Sequence, residues 1–220
     1  MTDAAPLQKL LTWLSPAFPI GGFAWSAGLE TAIAGRVVTD SQSLENWLAG
    51  ALLHGGIRTD AILLALAYKA GADAPALAEL ADLSLALTSA AERRAETLAL
   101  GEAFAIATAA WPPQNAVRLP PACPYPIAVG AIAAAHTLPL PDTLIGFLTA
   151  TVQGQVSVAV RLVPLGQSAG LRVVAALEPQ VAALAQEAMT ATLDDLGGIA
   201  YASDIAQMRH ETLEPRIFRS

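Results

Sequence analysis

The chain has 220 residues, of which 54% are hydrophobic and only 14% charged, and its formal net charge is -7. This composition excludes a disordered chain, because enough apolar side chains are present to offset the entropy of ordering. The acidic balance argues against a general nucleic-acid binder and a polybasic membrane anchor. The single cysteine, Cys123, excludes an internal disulfide and is typical of a reducing compartment. The length is that of one substantial domain.

Apolar residues recur at helical spacing along nearly the whole chain. The capping signals are Thr39 with Gln42, which predict a capping box, and Asp73 with Pro75. No sustained strand alternation, heptad pattern or fixed-period repeat occurs in the sequence. The sequence therefore predicts an all-α, single-domain bundle of roughly eight to eleven helices. In chain order, the predicted helices begin near Pro6, Trp25, Thr39, Asp60, Asp73, Ser89, Pro126, Asp142, Ser168 and Pro179.

The mean hydropathy of +0.48 raises the question of a membrane-spanning helix. Much of this value comes from alanine, which raises helix propensity more than it raises apolar area. The best candidate window, 143–160, carries Gln153, Gln155 and three threonines. Asp3 precedes any apolar run, unlike the start of a secretory leader. We therefore expect a soluble, cytoplasmic protein without a membrane span.

Two segments depart from the helical background. The first is an apolar, glycine-rich connection at 15–23, with the sequence SPAFPIGGF. The second is the end of the chain from Gly197 onward, where Pro215 prevents one uninterrupted helix. We divide the chain into a helical domain, 1–207, and a C-terminal tail, 208–220. Because the tail is polar and has little apolar surface, we expect it to be mobile in the free protein.

Signatures of nucleotide binding are missing from the sequence. No glycine is followed by Lys-Ser or Lys-Thr as in a P-loop, and GxGxxG does not occur. Cys123 has no histidine nearby in the sequence, so we expect it to be a packing residue. Asp194 and Asp195 are expected to lie at a solvated helix end. The segment 91–96 is expected to be a solvated helix face with internal ion pairs, and a docking patch is its alternative.

The three histidines, His54, His136 and His210, are scattered. None has a second His or Cys three or four residues away, the spacing that places two metal ligands on one helix face. We expect His54 and His136 to lie at helix C-termini, where they interact with the helix dipole. The sequence HETLE at 210–214 resembles half of a zinc motif, but Pro215 follows at once, so we expect a solvated or partner-bound tail instead. We expect the chain alone to hold no cofactor or metal tightly and to hydrolyse no GTP.

The irregular segments carry a resemblance to a known family. SPAFPIGGFAWSAGLE at 15–30, PLGQSAG at 164–170, and MRHE with RIFRS at 208–220 are similar to the urease accessory protein UreF family. The resemblance implies an all-helical, dimeric, non-catalytic assembly factor. Such a protein joins an accessory partner, called D or H, and a nickel-carrying GTPase, called G. It recruits the GTPase and couples its nucleotide state to the delivery of nickel to apo-urease.

The resemblance also implies residues that serve partner docking or the dimer core. Arg161 and Gln167 are expected to face the GTPase, and the tail is expected to dock on the accessory partner. Simpler alternatives stay open: the glycines need only permit a turn with positive φ, Arg161 can end a helix favourably, and the tail can be disordered and idle. The full set is Gly21, Gly22, Phe23, Arg161, Gln167, Met208, Arg209, His210, Glu211, Arg216, Phe218 and Arg219.

Two functions of other classes are alternatives. One is a helical hydrolase with a spatially assembled site, which turnover by the isolated chain would reveal. The other is a small membrane-associated helical protein, which fractionation would reveal. We also expect a homodimer that forms through an alanine- and leucine-rich face, because a monomer that exposes large apolar patches tends to associate.

Overall fold

The structure is a computed structural model that describes residues 4–220. Within those residues the chain forms ten α-helices and no β-strand, which confirms the predicted all-α fold. Two short 3₁₀ turns, Gly22–Ala24 and Leu193–Asp195, accompany them. The helices are α1 (Ala5–Trp13), α2 (Leu29–Ala34), α3 (Ser41–His54), α4 (Gly56–Ala70), α5 (Ala74–Ala86), α6 (Ala91–Thr108), α7 (Tyr125–Ala135), α8 (Leu140–Leu162), α9 (Gln167–Thr190) and α10 (Tyr201–His210).

The core is built around α4 and α7. Nine of the eleven residues of α7 are buried, and its sequence is apolar on every side, as expected for a helix with no solvent-facing stripe. The two helices approach closely at Gly130, where a Cβ would overlap the carbonyl oxygen of Leu64. The two longest helices, α8 and α9, pack on each other and on α4. Helix α6 packs on α7 and thereby joins this core beside the candidate site.

Helix starts follow capping signals, with two corrections. Asp40 caps α3: its carboxylate accepts the Ser43 N–H at 2.8 Å, and the Ser43 hydroxyl accepts the Asp40 N–H at 3.0 Å. The predicted Thr39 and Gln42 box is therefore wrong by one position. Asp73 caps α5, as predicted. The predicted start of α4 at Asp60 is also wrong, because α4 begins at Gly56 after a bend of 41° from α3.

Two secondary-structure predictions near the C-terminus are wrong. Helix α9 runs unbroken through Pro179, because Leu177 and Val181 on either side are buried and their packing outweighs the missing proline N–H. The stretch 201–210 was expected to be irregular, yet it forms α10. The boundary between 207 and 208 therefore lies inside a helix.

Helix α8 is, within residues 4–220, the single helix long and apolar enough to cross a membrane by length and composition. The bent pair α3 and α4 passes the same test when taken as one segment. Half of the apolar window of α8 is buried inside the domain, where Leu144, Leu148 and Val152 belong to the common core. Its hydropathy is that of a helix in the interior of a folded domain.

Candidate partner-docking site

His210, the last residue of α10, lies in the interior rather than in solvent. Its side chain is fully buried, with Nδ1 at 2.7 Å from Glu92 Oε2 and Nε2 at 3.0 Å from Glu30 Oε2. A ring that faces a carboxylate at each nitrogen satisfies both contacts when both nitrogens carry a proton. The expectation of a solvated or partner-bound His210 is therefore wrong. The two carboxylates come from α2 and α6, more than 100 positions away in the sequence, so no local motif announces them.

Glu30 is the centre of this arrangement. Its carboxylate also accepts the backbone N–H groups of Ile217 at 2.7 Å and Phe218 at 2.9 Å. Burial by itself would raise the pKa of Glu30, but the hydrogen bonds from His210, Ile217 and Phe218 outweigh burial, and the pKa is lowered below its ordinary value of 4.5. The ionised carboxylate thus fixes the last turn of α10 and the tail to the start of α2.

The tail continues along the body after this point. Arg216 pairs with the second oxygen of Glu92, and Phe218 is only 4% exposed. The N–H of Arg219 donates to the carbonyl of Ala24 at 2.8 Å, and the N–H of Ser26 donates to the carbonyl of Ser220 at 2.7 Å. The expected mobility of the tail is therefore wrong for the free chain. The sequence prediction rests on the low apolar content of the tail. In the structure, hydrogen-bond acceptors on the rest of the domain hold the tail in place.

The glycine-rich segment meets the tail at one surface. Gly21 has a φ of 74°, which favours glycine, and the turn that follows leaves Phe23 71% exposed. Arg161, at the end of α8, donates to the carbonyl of Phe23 at 3.3 Å and lies 5.5 Å from the centroid of the Phe218 ring. Arg219 lies in the same way over Trp25, at 4.8 Å. Loop and tail are therefore joined through arginine–aromatic contacts.

We call this face the loop–tail surface and define it by the exposed residues Gly22, Phe23, Arg161, Arg216, Ile217 and Arg219. Ile217 was not among the predicted docking residues, although it is 77% exposed, which makes it the most exposed large apolar side chain of residues 4–220. The sequence signal for this surface is the pair Ile217 and Phe218, two apolar residues that lie between Arg216 and Arg219. The two predicted residues Phe218 and His210 lie beneath this surface, not on it.

The remaining predicted residues lie elsewhere. Gln167 is exposed at the first position of α9, and within residues 4–220 it makes no hydrogen bond or ring contact with the loop or the tail. Met208 and Arg209 lie on the outer side of α10. Glu211 accepts the N–H of Ala91 at 3.1 Å and so satisfies a free donor at the start of α6.

The segment 91–96 is not the solvated face that was expected. Its internal pair is present, because Arg93 Nη1 lies 3.1 Å from Glu96 Oε2. However, Arg93 also pairs with Asp60 of α4, and Glu96 is only 6% exposed. Glu92, as described above, holds the tail. Charged residues at helical spacing predict a solvent-exposed face only when no neighbouring element supplies ion-pair partners. Here α4, α10 and the C-terminal tail supply such partners.

The histidines, the carboxylates and Cys123 are the residues of 4–220 that bear on metal binding and thiol chemistry. No group of three or more His, Cys, Asp or Glu residues there is arranged to hold a metal ion. His54 and His136 lie at the C-terminal ends of α3 and α7, as predicted. Burial raises the pKa of the Cys123 thiol to about 12, so it is protonated at neutral pH. That the chain binds no resident cofactor or metal stays a prediction.

The fold and this surface define a class: an all-helical protein whose first loop and last residues form one exposed face. Residues 38–178 match the family model for UreF. A urease accessory protein UreF from Rhizobium etli is 49% identical over the full length of both chains. Proteins of that name from Agrobacterium fabrum and Rhodopseudomonas palustris are each 46% identical, and the alignments cover 98% and 95% of their lengths. The chain belongs to the UreF family.

Proposed function

We propose that this urease accessory protein is a non-catalytic assembly factor that bridges two proteins. One is the accessory partner of the D or H type, and the other is the nickel-carrying GTPase. Binding of both couples the nucleotide state of the GTPase to the insertion of nickel into apo-urease in the cytoplasm. Nickel is cargo in this proposal and is not a resident cofactor of the chain.

The loop–tail surface carries the proposal. It exposes two large apolar side chains, Phe23 and Ile217, and flanks them with the arginines Arg161, Arg216 and Arg219. Aromatic residues and arginine are the types that dominate the binding energy of protein interfaces. The body of the protein is acidic, whereas this face is basic, so it suits an accessory partner with an acidic face.

A separate surface is available for the GTPase. Gln167 opens α9 outside the loop–tail surface, and Leu171, one turn further, is 68% exposed. Arg161 links the loop to the tail, and we therefore assign it to the accessory partner's side rather than to the GTPase. Two separate faces on one helical domain are what a bridging function needs.

A three-component capture experiment tests the bridge. The tagged accessory partner is immobilised and the GTPase is added with or without this chain. We expect retention of the GTPase only when the chain is present, and no GTP turnover by the chain alone. Equal retention of the GTPase without the chain would contradict the bridging function, and robust GTP turnover by the purified chain would contradict the non-catalytic assignment.

The dimer has its own candidate face. A groove of about 680 Å³ lies between α2 and α10, and its lining includes Ala32, Ala206, Ile205 and Leu213. Its apolar, alanine-rich composition fits the face that the homodimer requires. We expect light scattering to give twice 22.6 kDa for the wild type and one chain mass for Ile205→Glu. A wild-type protein that stays monomeric at tens of micromolar would contradict the dimer.

A further inference from the structure

A cavity of about 410 Å³ lies beneath the glycine-rich loop. Its walls include the aromatic rings of Phe18, Trp25 and Tyr125. Its floor is charged, since Asp60, Arg93 and Glu96 all line it. We call this space the loop cavity. Its volume lies within the range of about 300–1,000 Å³ that is usual for ligand sites.

The charges on the floor do not balance. Arg93 contacts one oxygen of Asp60, and its Nη1 lies 3.1 Å from Glu96, so two carboxylates share one guanidinium. The second oxygen of Asp60, Oδ1, has no hydrogen-bond partner among residues 4–220. The Asp60 side chain is 17% exposed to solvent. Oδ1 of Asp60 is therefore a solvent-accessible acceptor at the cavity floor, beside two carboxylates that share one guanidinium.

The protonation behaviour of Asp60 agrees with this imbalance. Burial raises the pKa of Asp60, the nearby Arg93 charge lowers it, and the Glu96 charge raises it again, and the outcome is a raised pKa. The ionised form is thus insufficiently stabilised by Arg93 alone. A second cation beside Oδ1 would stabilise it.

The chemistry of the walls selects the kind of cation. A planar guanidinium stacks on aromatic rings and donates to carboxylates, whereas a metal ion requires several oxygen, nitrogen or sulfur ligands. The same protein places Arg161 and Arg219 over aromatic rings at the rim of this loop. Arg161 also lines the mouth of the cavity, but it is exposed and water screens its charge, which leaves the floor net negative.

We propose that the loop cavity binds a guanidinium group, presented as an arginine side chain by the protein that docks on the loop–tail surface. The source of the guanidinium rests on the proposed function, because Phe23 of that surface also lines the cavity. The site itself rests only on the charges and rings of this chain. The two parts are therefore tested separately.

The site is tested with the isolated chain and two small probes, n-butylguanidinium and its neutral isostere n-butylurea. We expect calorimetry to detect n-butylguanidinium and to give at least about tenfold weaker binding of n-butylurea, since a charged hydrogen bond is lost. Asp60→Asn should weaken n-butylguanidinium by a similar factor. Equal binding of the two probes, or no binding of either, would overturn the site.

A second variant tests the site independently, in case Asp60→Asn does not fold. Gly154 of α8 lines the cavity and has open space where a Cβ would lie, so Gly154→Leu adds a side chain at the cavity wall. Its matched control is Gly50→Leu in α3, a helical glycine that also has open space but lies outside the cavity. We expect Gly154→Leu to abolish probe binding and Gly50→Leu to retain it. Unchanged binding in Gly154→Leu would place the probe elsewhere and overturn the site.

The source of the guanidinium is tested by competition. Excess n-butylguanidinium is expected to weaken capture of the accessory partner by the wild-type chain, and n-butylurea is expected to leave it unchanged. If the probe binds but capture is unaffected, the cavity takes a small cation and not a partner side chain, which overturns that part. If the probe does not bind and capture is intact, the cavity site is wrong while the docking function stands.

Discussion

Replacing Glu30 by leucine is expected to lower the free energy of unfolding by about 3–5 kcal/mol, because breaking a buried charged cluster leaves its other members unpaired. The groups that lose their acceptor are Nε2 of His210 and the N–H groups of Ile217 and Phe218. Urea unfolding followed by circular dichroism measures the effect. The control is Glu102→Leu, an exposed glutamate on α6. Equal destabilisation by the two variants would contradict the central position of Glu30.

The same carboxylate determines the sign of a pH effect. Because the pKa of Glu30 is lower in the folded chain than its ordinary value of 4.5, the unfolded chain takes up this proton first as the pH falls. The contribution of Glu30 to stability is therefore complete above pH 4.5 and is lost as the pH falls through the lowered pKa. We expect the decline of stability in acid to be steeper for the wild type than for Glu30→Leu. Parallel declines would show that the contacts of Glu30 do not depend on its charge.

Replacing Phe23 or Ile217 by aspartate is expected to weaken the affinity for the accessory partner about 30-fold or more, because a central apolar anchor contributes about 2 kcal/mol or more. Both side chains are largely exposed, so the stability of the isolated chain should change by no more than about 0.5 kcal/mol. Calorimetric titration with the purified partner measures the affinity. The matched control is Ile106→Asp, since Ile106 is 69% exposed on α6 and lies outside the loop–tail surface.

Wild-type affinity in both variants would show that the partner docks elsewhere. A weakening equal to that of Ile106→Asp would indicate a general charge effect. Point substitutions are preferable to removal of residues 209–220, because that deletion also takes His210 and Phe218 out of the interior. A truncated chain is expected to lose stability as well as binding, and the two losses would not be separable.

Most of the fold follows from local patterns in the sequence. The apolar periodicity predicts the helices, and Asp73 marks a helix start that the structure confirms. Pro179 misleads, because proline is expected at helix starts, and only the buried neighbours in α9 reveal that the helix continues. Helix α10 was missed for a related reason: it is short and polar, and its stability comes from contacts with α2 and α6.

The candidate site is less accessible to sequence reasoning. The segments that contain it stand out by their glycines and their basic ends, so the loop and the tail were both identified. The contact between the loop and the tail was not predictable from the sequence. It depends on the pairing of His210 with Glu30 and Glu92, which no spacing rule connects to His210. For the same reason the sequence predicts Phe218 as a docking residue, whereas the exposed residue is its neighbour Ile217. Long-range pairing decides which face of the tail is free.

The central claim is that the loop–tail surface docks the accessory partner during urease maturation. The most direct measurement is urease activity in cells that express the urease genes and carry, in place of the wild-type chain, the double variant with Phe23→Asp and Ile217→Asp. The account predicts that the variant accumulates to the wild-type level with wild-type circular dichroism, while urease activation is lost. Full urease activity from the stable double variant would contradict it.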